Sequence, residues 1–194
     1  MSPSPLASSS TPAVAESPVA PADAGEKLLA MALPVPPGAT GWKQPPVRLT
    51  TRTGVLNLDQ FIAALYTSEW TETATRQAKN RGFVVAACHG WKNPDRSQVE
   101  VMLVEYESAE GAQSMYRGLR KLWTEDTSTT FFDDPDDQAA GLVHAQLNED
   151  GMAYASLITT RRNVVIYITR FTPAVPDQET AQELFRQQLH AFAD

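Results

Sequence analysis

Four aspartates around one proline, Asp133-Asp134-Pro135-Asp136-Asp137, form the densest set of oxygen ligands in the chain. Carboxylates grouped in this way suit a hard cation such as calcium, which takes several oxygen ligands. The EF-hand pattern is missing, with no glycine at the sixth loop position and no bidentate glutamate at the twelfth. Pro135 also draws the run out instead of closing it into a cup. Residues 133–137 therefore read as a solvated acidic loop, and no metal is expected there.

The nitrogen and sulfur ligands are no better arranged. His89, His144 and His190 share no H-x-x-x-H spacing. Cys88, the single cysteine, follows the apolar run Val85-Ala86-Ala87, so it reads as a small buried strand residue without a disulfide partner. Cys88 and His89 are consecutive on that strand and point to opposite faces. Cys88 with His144 stays open as a pair if their strands are neighbours. No G-x-S-x-G, S-x-x-K, G-x-G-x-x-G or Walker motif occurs. Neither catalytic residues nor a cofactor is therefore expected. Arg161 and Arg162 precede Asn163 at an expected hairpin tip, where they would suit an anionic ligand or partner.

Composition supplies the scaffold on which such residues would sit. Of 194 residues, 42% are hydrophobic and 20% charged, enough for a folded core without disulfides or metals. A net charge of −7 argues against nucleic acid, which demands a basic stripe, and against anionic membrane surfaces. No apolar stretch is long enough for a transmembrane helix, so direct membrane insertion is not expected. The opening MSPSPLASSS has neither a basic n-region nor an apolar h-region, so it does not read as a signal peptide.

Ten of the fourteen prolines precede residue 47. Residues 1–26 read as a disordered Pro/Ala/Ser-rich leader that serves as a spacer. Residues 27–194 read as a single domain entered through a proline-rich arm at 27–50. A short helix is expected over 24–33, ended by Pro34, Pro36 and Pro37. Trp42, Leu28, Leu29, Met31 and Leu33 give the arm apolar side chains to pack.

In the body, Asn57 caps an expected helix over Leu58–Tyr66, and Thr71 a second, stopped by Gly82. Phe83–Trp91 and Gln98–Tyr106 form a hairpin around Asn93-Pro94-Asp95. Ser108 caps a helix to Trp123, and residues 124–140 follow as a polar loop. Strands at Leu142–Leu147, Met152–Thr159 and Val164–Phe171 precede a last helix from about Asp177. The order α-α-β-β-α-β-β-β-α predicts an α+β fold, a mostly antiparallel sheet of about five strands with helices packed on it.

Both faces of the last strand are apolar: Val164, Ile166 and Ile168 on one, Val165, Tyr167 and Phe171 on the other. Such a sheet must be covered on both sides, by helices, by the arm or by another molecule. If helices cover one face alone, the other becomes a binding or homodimer surface. The residues expected on a binding surface are Tyr154, Tyr167, His144, Arg161 and Arg162.

A family pattern runs through the same segments. Leu28-Leu29, the stretch Leu33-Pro34-Val35-Pro36-Pro37-Gly38-Ala39, Leu58-Asp59-Gln60, Arg81-Gly82-Phe83 and Val99-Glu100-Val101 carry it. Ser108-Ala109-Glu110-Gly111-Ala112, Arg162-Asn163-Val164-Val165 and Gln187-Gln188-Leu189 continue it. Together they resemble cell-envelope-associated α+β domain proteins of high-GC actinobacteria, of PsbP-like or lipoprotein-sensor type. The resemblance implies a small domain held off the envelope by a low-complexity spacer, and it transfers no catalytic residue. The function expected is a non-enzymatic extracytoplasmic binding or sensing domain for a protein or a small envelope ligand. Two alternatives stand beside it: a cytoplasmic assembly partner acting through its N-terminal segment, and a small hydrolase using Cys88 or His144.

Overall fold

Helix starts follow the capping chemistry. The Asn57 side chain accepts a hydrogen bond from the Gln60 N–H while Gln60 reaches back to the Asn57 N–H, a complete capping box for α2 (Leu58–Leu65). Ser108 caps α4 (Ala109–Glu125) and Asp177 caps α5 (Gln178–His190). Gly82 takes the left-handed conformation, at φ +73°, that lets the chain leave α3 (Thr71–Asn80). Thr71 is not a cap. A 3-10 turn over Ser68–Trp70 already precedes it, and its hydroxyl donates to the Thr67 carbonyl.

The structure is a computed structural model describing residues 21–42, 53–148 and 150–193. The expected leader lies outside these residues up to position 20. From Pro21 the chain is helical, forming α1 (Pro21–Ala30), so the helix begins earlier than the expected 24 and ends before 33.

The fold is α+β, with all strands antiparallel. Eight strands, not five, make up the sheet among the described residues: β1 (Thr40–Gly41), β2 (Gly54–Leu56), β3 (Phe83–Lys92), β4 (Gln98–Tyr106), β5 (Thr130–Asp134), β6 (Ala139–His144), β7 (Ala153–Arg161) and β8 (Val164–Thr172). They run in the order β1-β3-β4-β8-β7-β6-β5, with β2 also pairing β3. Three strands account for the difference. The short β1 and β2 share one edge, and β5 occupies part of the segment expected as an acidic loop. Phe131 and Phe132 hold β5 to β6 on opposite faces.

Both faces of the sheet carry packed helices. On one, α2, α3 and α4 pack over Ala86, Cys88, Met102, Val104 and Ile158. On the other, α1, α5 and the arm pack over Val101, Leu103, Leu157, Ile166 and Ile168. Each fully withdrawn side chain of this size contributes about 1.5–3 kcal/mol. The arm is tied down by polar groups as well. Buried Gln188 of α5 accepts from the Leu33 N–H at 2.8 Å and donates to the Met31 carbonyl at 2.7 Å. The condition for a bare sheet face as a dimer surface is thus not met among the described residues.

Candidate functional site

Strand register decides which side chains stand together. Glu100 on β4 lies opposite Thr169 on β8, which lies opposite Ser156 on β7. Side chains directly opposite share a face of the sheet. These three therefore form a polar row on the face covered by α2, α3 and α4. One row further out, Phe171, Tyr154 and His144 stand opposite one another on β8, β7 and β6. Their rings form a contiguous row: His144 stacks on Tyr154 at 4.9 Å, and Tyr154 meets Phe171 at 5.7 Å with the planes tilted by 50°. Tyr167 lies one row inward, braced by Trp123 of α4 at 5.8 Å.

The helical layer stops short of this patch. After Leu65 the backbone turns extended at Tyr66, which ends the eight-residue α2 beside the cleft. The uncovered area is a cleft of about 600 Å³ with Ala64, Leu65 and Tyr66 along one wall and Tyr154, Tyr167 and Phe171 along the other. Glu100 and Thr169 form its floor. Asn148 and Asp150 from the β6–β7 turn form its rim, where the Asn148 carboxamide oxygen accepts from the Asp150 and Met152 N–H groups. At the β1 edge the Trp42 ring lies against Gly90, where any side chain would collide with it. Gly90 stands directly opposite Glu100.

Electrostatics mark Glu100 out. It is 4% exposed, and its Oε2 has no hydrogen-bond partner. Leaving a buried carboxylate oxygen unpaired is costly, and proteins keep such groups mainly where something else pairs with them. Burial accordingly pushes the Glu100 carboxyl up to about 7. The neighbouring hydroxyls do not relieve it. Ser156 and Thr169 bond each other at 2.9 Å, and the Tyr167 phenol bonds to that pair. Burial also raises the Tyr167 phenol.

The five residues expected on one binding surface divide into two places. Tyr154 and Tyr167 line the cleft, and His144 buttresses it from the end of the ring stack. The buried His144 Nδ1 has no hydrogen-bond partner. Arg161 and Arg162 lie at the opposite end of the β7–β8 hairpin, about 23 Å along the strand from Tyr154. Arg161 secures the local backbone there, donating to the Thr160 and Asp137 carbonyls. Arg162 sits in the turn at φ 53°.

The other sequence candidates have structural partners. Cys88 is fully buried, and its thiol is pushed well up by that burial and by the Glu100 charge. Strands β4, β8 and β7 separate it from His144, so the two form no dyad. Within the acidic run, Asp133 pairs with Arg120 at 2.9 Å, Asp134 accepts from Gln182, and Asp137 lies 3.5 Å from Arg186. These acids end β5 and turn into β6, and they do not form a free loop. Among the described residues no three metal-ligating side chains converge.

No family model matches the chain, and no curated protein sequence matches it. Among solved structures, the described architecture has a clear counterpart. The fold is similar to that of the extracellular domain of PknH from Mycobacterium tuberculosis. The TM-score is 0.59 at 16% identity, over 91% of this chain and 97% of the PknH domain. At that identity the likeness to the PknH domain is one of fold, and the cleft residues must be judged on their own chemistry.

Sequence reading missed Glu100, Ser156, Thr169 and Phe171 as site residues. One signal was present. Glu100 is the one charge on its face of β4, beside Met102 and Val104, while the strand's other acid, Glu105, lies on the opposite face. A charge at a core-facing position is the kind of local inconsistency that function leaves behind.

Proposed function

We propose that this chain is a non-enzymatic extracytoplasmic binding domain whose small-molecule ligand seats in the cleft over Glu100. The unpartnered, buried Glu100 carboxyl on the floor of an aromatic-walled cleft carries the reading. Ligand sites are concave and mostly apolar, with a few placed polar groups, and the cleft has that composition. Its volume fits a drug-sized molecule.

The address is supported by the fold, which is similar to that of an extracellular domain. It also draws on the actinobacterial cell-envelope resemblance in the sequence and on the leader as spacer. No helix among the described residues is long and apolar enough to cross a membrane. The lipoprotein-sensor type belongs to the same proposal.

A thermal-shift screen of the purified chain against charged, neutral and sugar-like small molecules tests the reading. Compounds that raise the melting temperature of the native chain but not of the Tyr154→Ala, Phe171→Ala variant are expected. If every stabilising compound acts equally on both chains, the cleft is not the binding site.

A further inference from the structure

We infer that the cleft takes a primary organic ammonium ion, whose N–H groups pair with Glu100 and whose body lies against the Tyr154 and Phe171 rings. The inference rests on the cleft being a binding site and names the chemistry of its ligand.

Three observations converge on this class. Glu100 lines the cleft, and its Oε2 is buried just beneath with no donor. Among the described residues that line the cleft, the charged ones are two acids, Glu100 on the floor and Asp150 at the rim. The hydroxyls of Ser156, Thr169 and Tyr167 are already engaged with one another, so the floor has few donors left for a neutral polyol. What remains is acceptor capacity beside aromatic faces. That combination attracts a cation through charge-assisted hydrogen bonds and through the ring quadrupoles. A net charge of −7 adds a long-range pull of the same sign.

Binding of this kind exchanges one cation for another. In the empty cleft near neutral pH, Glu100 is partly protonated. When the ammonium enters, the Glu100 O–H bond breaks and its proton passes to bulk water. The carboxylate left behind accepts the ammonium N–H. The ligand keeps its own protons, since alkyl ammonium groups hold them well above pH 8.

Among the described residues, the titratable groups beside Glu100 are the Cys88 thiol from β3 and the Tyr167 phenol from β8. Tyr66, whose phenol turns to Met115, and Asp150 also line the cleft, and His144 stands behind Tyr154. Burial raises Cys88, Tyr66 and Tyr167, which keeps them neutral from pH 6 to 8. The proton lost on binding is assigned to Glu100, and the Glu100→Gln variant below separates it from His144.

The test is calorimetric titration of the full chain with hexylammonium, and with hexan-1-ol as its neutral counterpart. It is run at pH 6, 7 and 8 in buffers of differing ionisation enthalpy. Hexylammonium should bind about tenfold more tightly at pH 8 than at pH 6, releasing close to one proton per ligand at pH 6. The Glu100→Gln variant should lose both the pH dependence and the preference for the amine. Proton release is read on the native chain, so the test does not depend on that variant folding. Equal binding of the two probes, or amine binding without proton release, overturns the ammonium assignment and leaves the cleft as a site for another class. Absence of binding by hexylammonium also overturns it. The cleft reading itself then stands or falls on the thermal-shift screen.

Discussion

Glu100 stands directly opposite Thr169 in the β4–β8 ladder, yet the Thr169 hydroxyl bonds to Ser156 on its other side. A carboxyl and a hydroxyl at adjacent register positions usually pair. Here the hydroxyl is taken, and the buried acid is left facing the cleft.

The first consequence is a pH-dependent stability. The folded chain holds the Glu100 proton up to about pH 7, against 4.5 for the free side chain. The fold thus favours the protonated form. Its contribution is fully present below about pH 4.5 and is lost as pH rises through 7. Glu100→Gln should therefore gain on the native chain by on the order of 3 kcal/mol between pH 5 and pH 8. Urea unfolding at fixed pH measures it. Burial lowers His89, which acts in the opposite direction, but it is present in both chains and cancels. A difference that does not change with pH would remove Glu100 as the titrating group.

The hydroxyl pair gives a second. Ser156 is fully buried and Thr169 nearly so, and removing either breaks their bond and leaves the other with the Tyr167 phenol alone. Ser156→Ala and Thr169→Val should each cost about 1–3 kcal/mol. The double variant should cost less than their sum by about 1 kcal/mol. A double-mutant cycle in chemical denaturation reads that coupling, and strict additivity would mean the bond is not formed.

Gln188 gives a third. It is the polar link between α5 and the arm, and no water-exposed substitute is at hand because the side chain is fully buried. Gln188→Leu leaves the Leu33 N–H and the Met31 carbonyl without partners and should cost about 2–4 kcal/mol. Amide exchange at Leu33 should quicken by a larger factor than exchange in β4, because the arm loosens before the sheet. Uniform quickening would show that the arm is held by its apolar contacts alone.

Cys88 provides a fourth. Its thiol has no exposure and is held in the protonated form. A disulfide reagent at pH 8 should leave the folded chain unlabelled for hours and label it fully in denaturant. Rapid labelling of the folded chain would place the thiol in contact with solvent.

The sequence carried the parts of this fold that local chemistry decides. Asn57, Ser108, Asp177 and Gly82 each mark a helix end by their own side chain or by the lack of one. The β3–β4 hairpin was equally legible from its turn and its long alternation. Elements set by tertiary context were not. A two-residue β1 and a three-residue β2 are too short to show a period. In β5, Asp133 and Asp134 read as loop residues. They become strand residues through pairing with Ala140 and Ala139 of β6, and Arg120 and Gln182 reach their carboxylates from the helices on either side.

The site divides along the same line. Tyr154 and Tyr167 stood out as aromatic residues on a strand face, and that face does line the cleft. Arg161 and Arg162 share the same hairpin, but strand length carries them to its other end. Glu100, Ser156 and Thr169 come together only through the β4–β8 and β8–β7 registers, which no single strand's pattern contains.

Where β4 meets β8 has a further meaning. Asn163 closes that seam by donating to the Tyr106 carbonyl across 57 residues of chain. Glu100 comes from the early side of the seam, and Thr169, Tyr167 and Phe171 come from the late side. Neither side holds half a site worth binding. On the proposed reading, a chain still emerging from the ribosome, or one whose last hairpin has come away, would offer a ligand nothing, so binding would certify that β4, β8 and β7 have been joined.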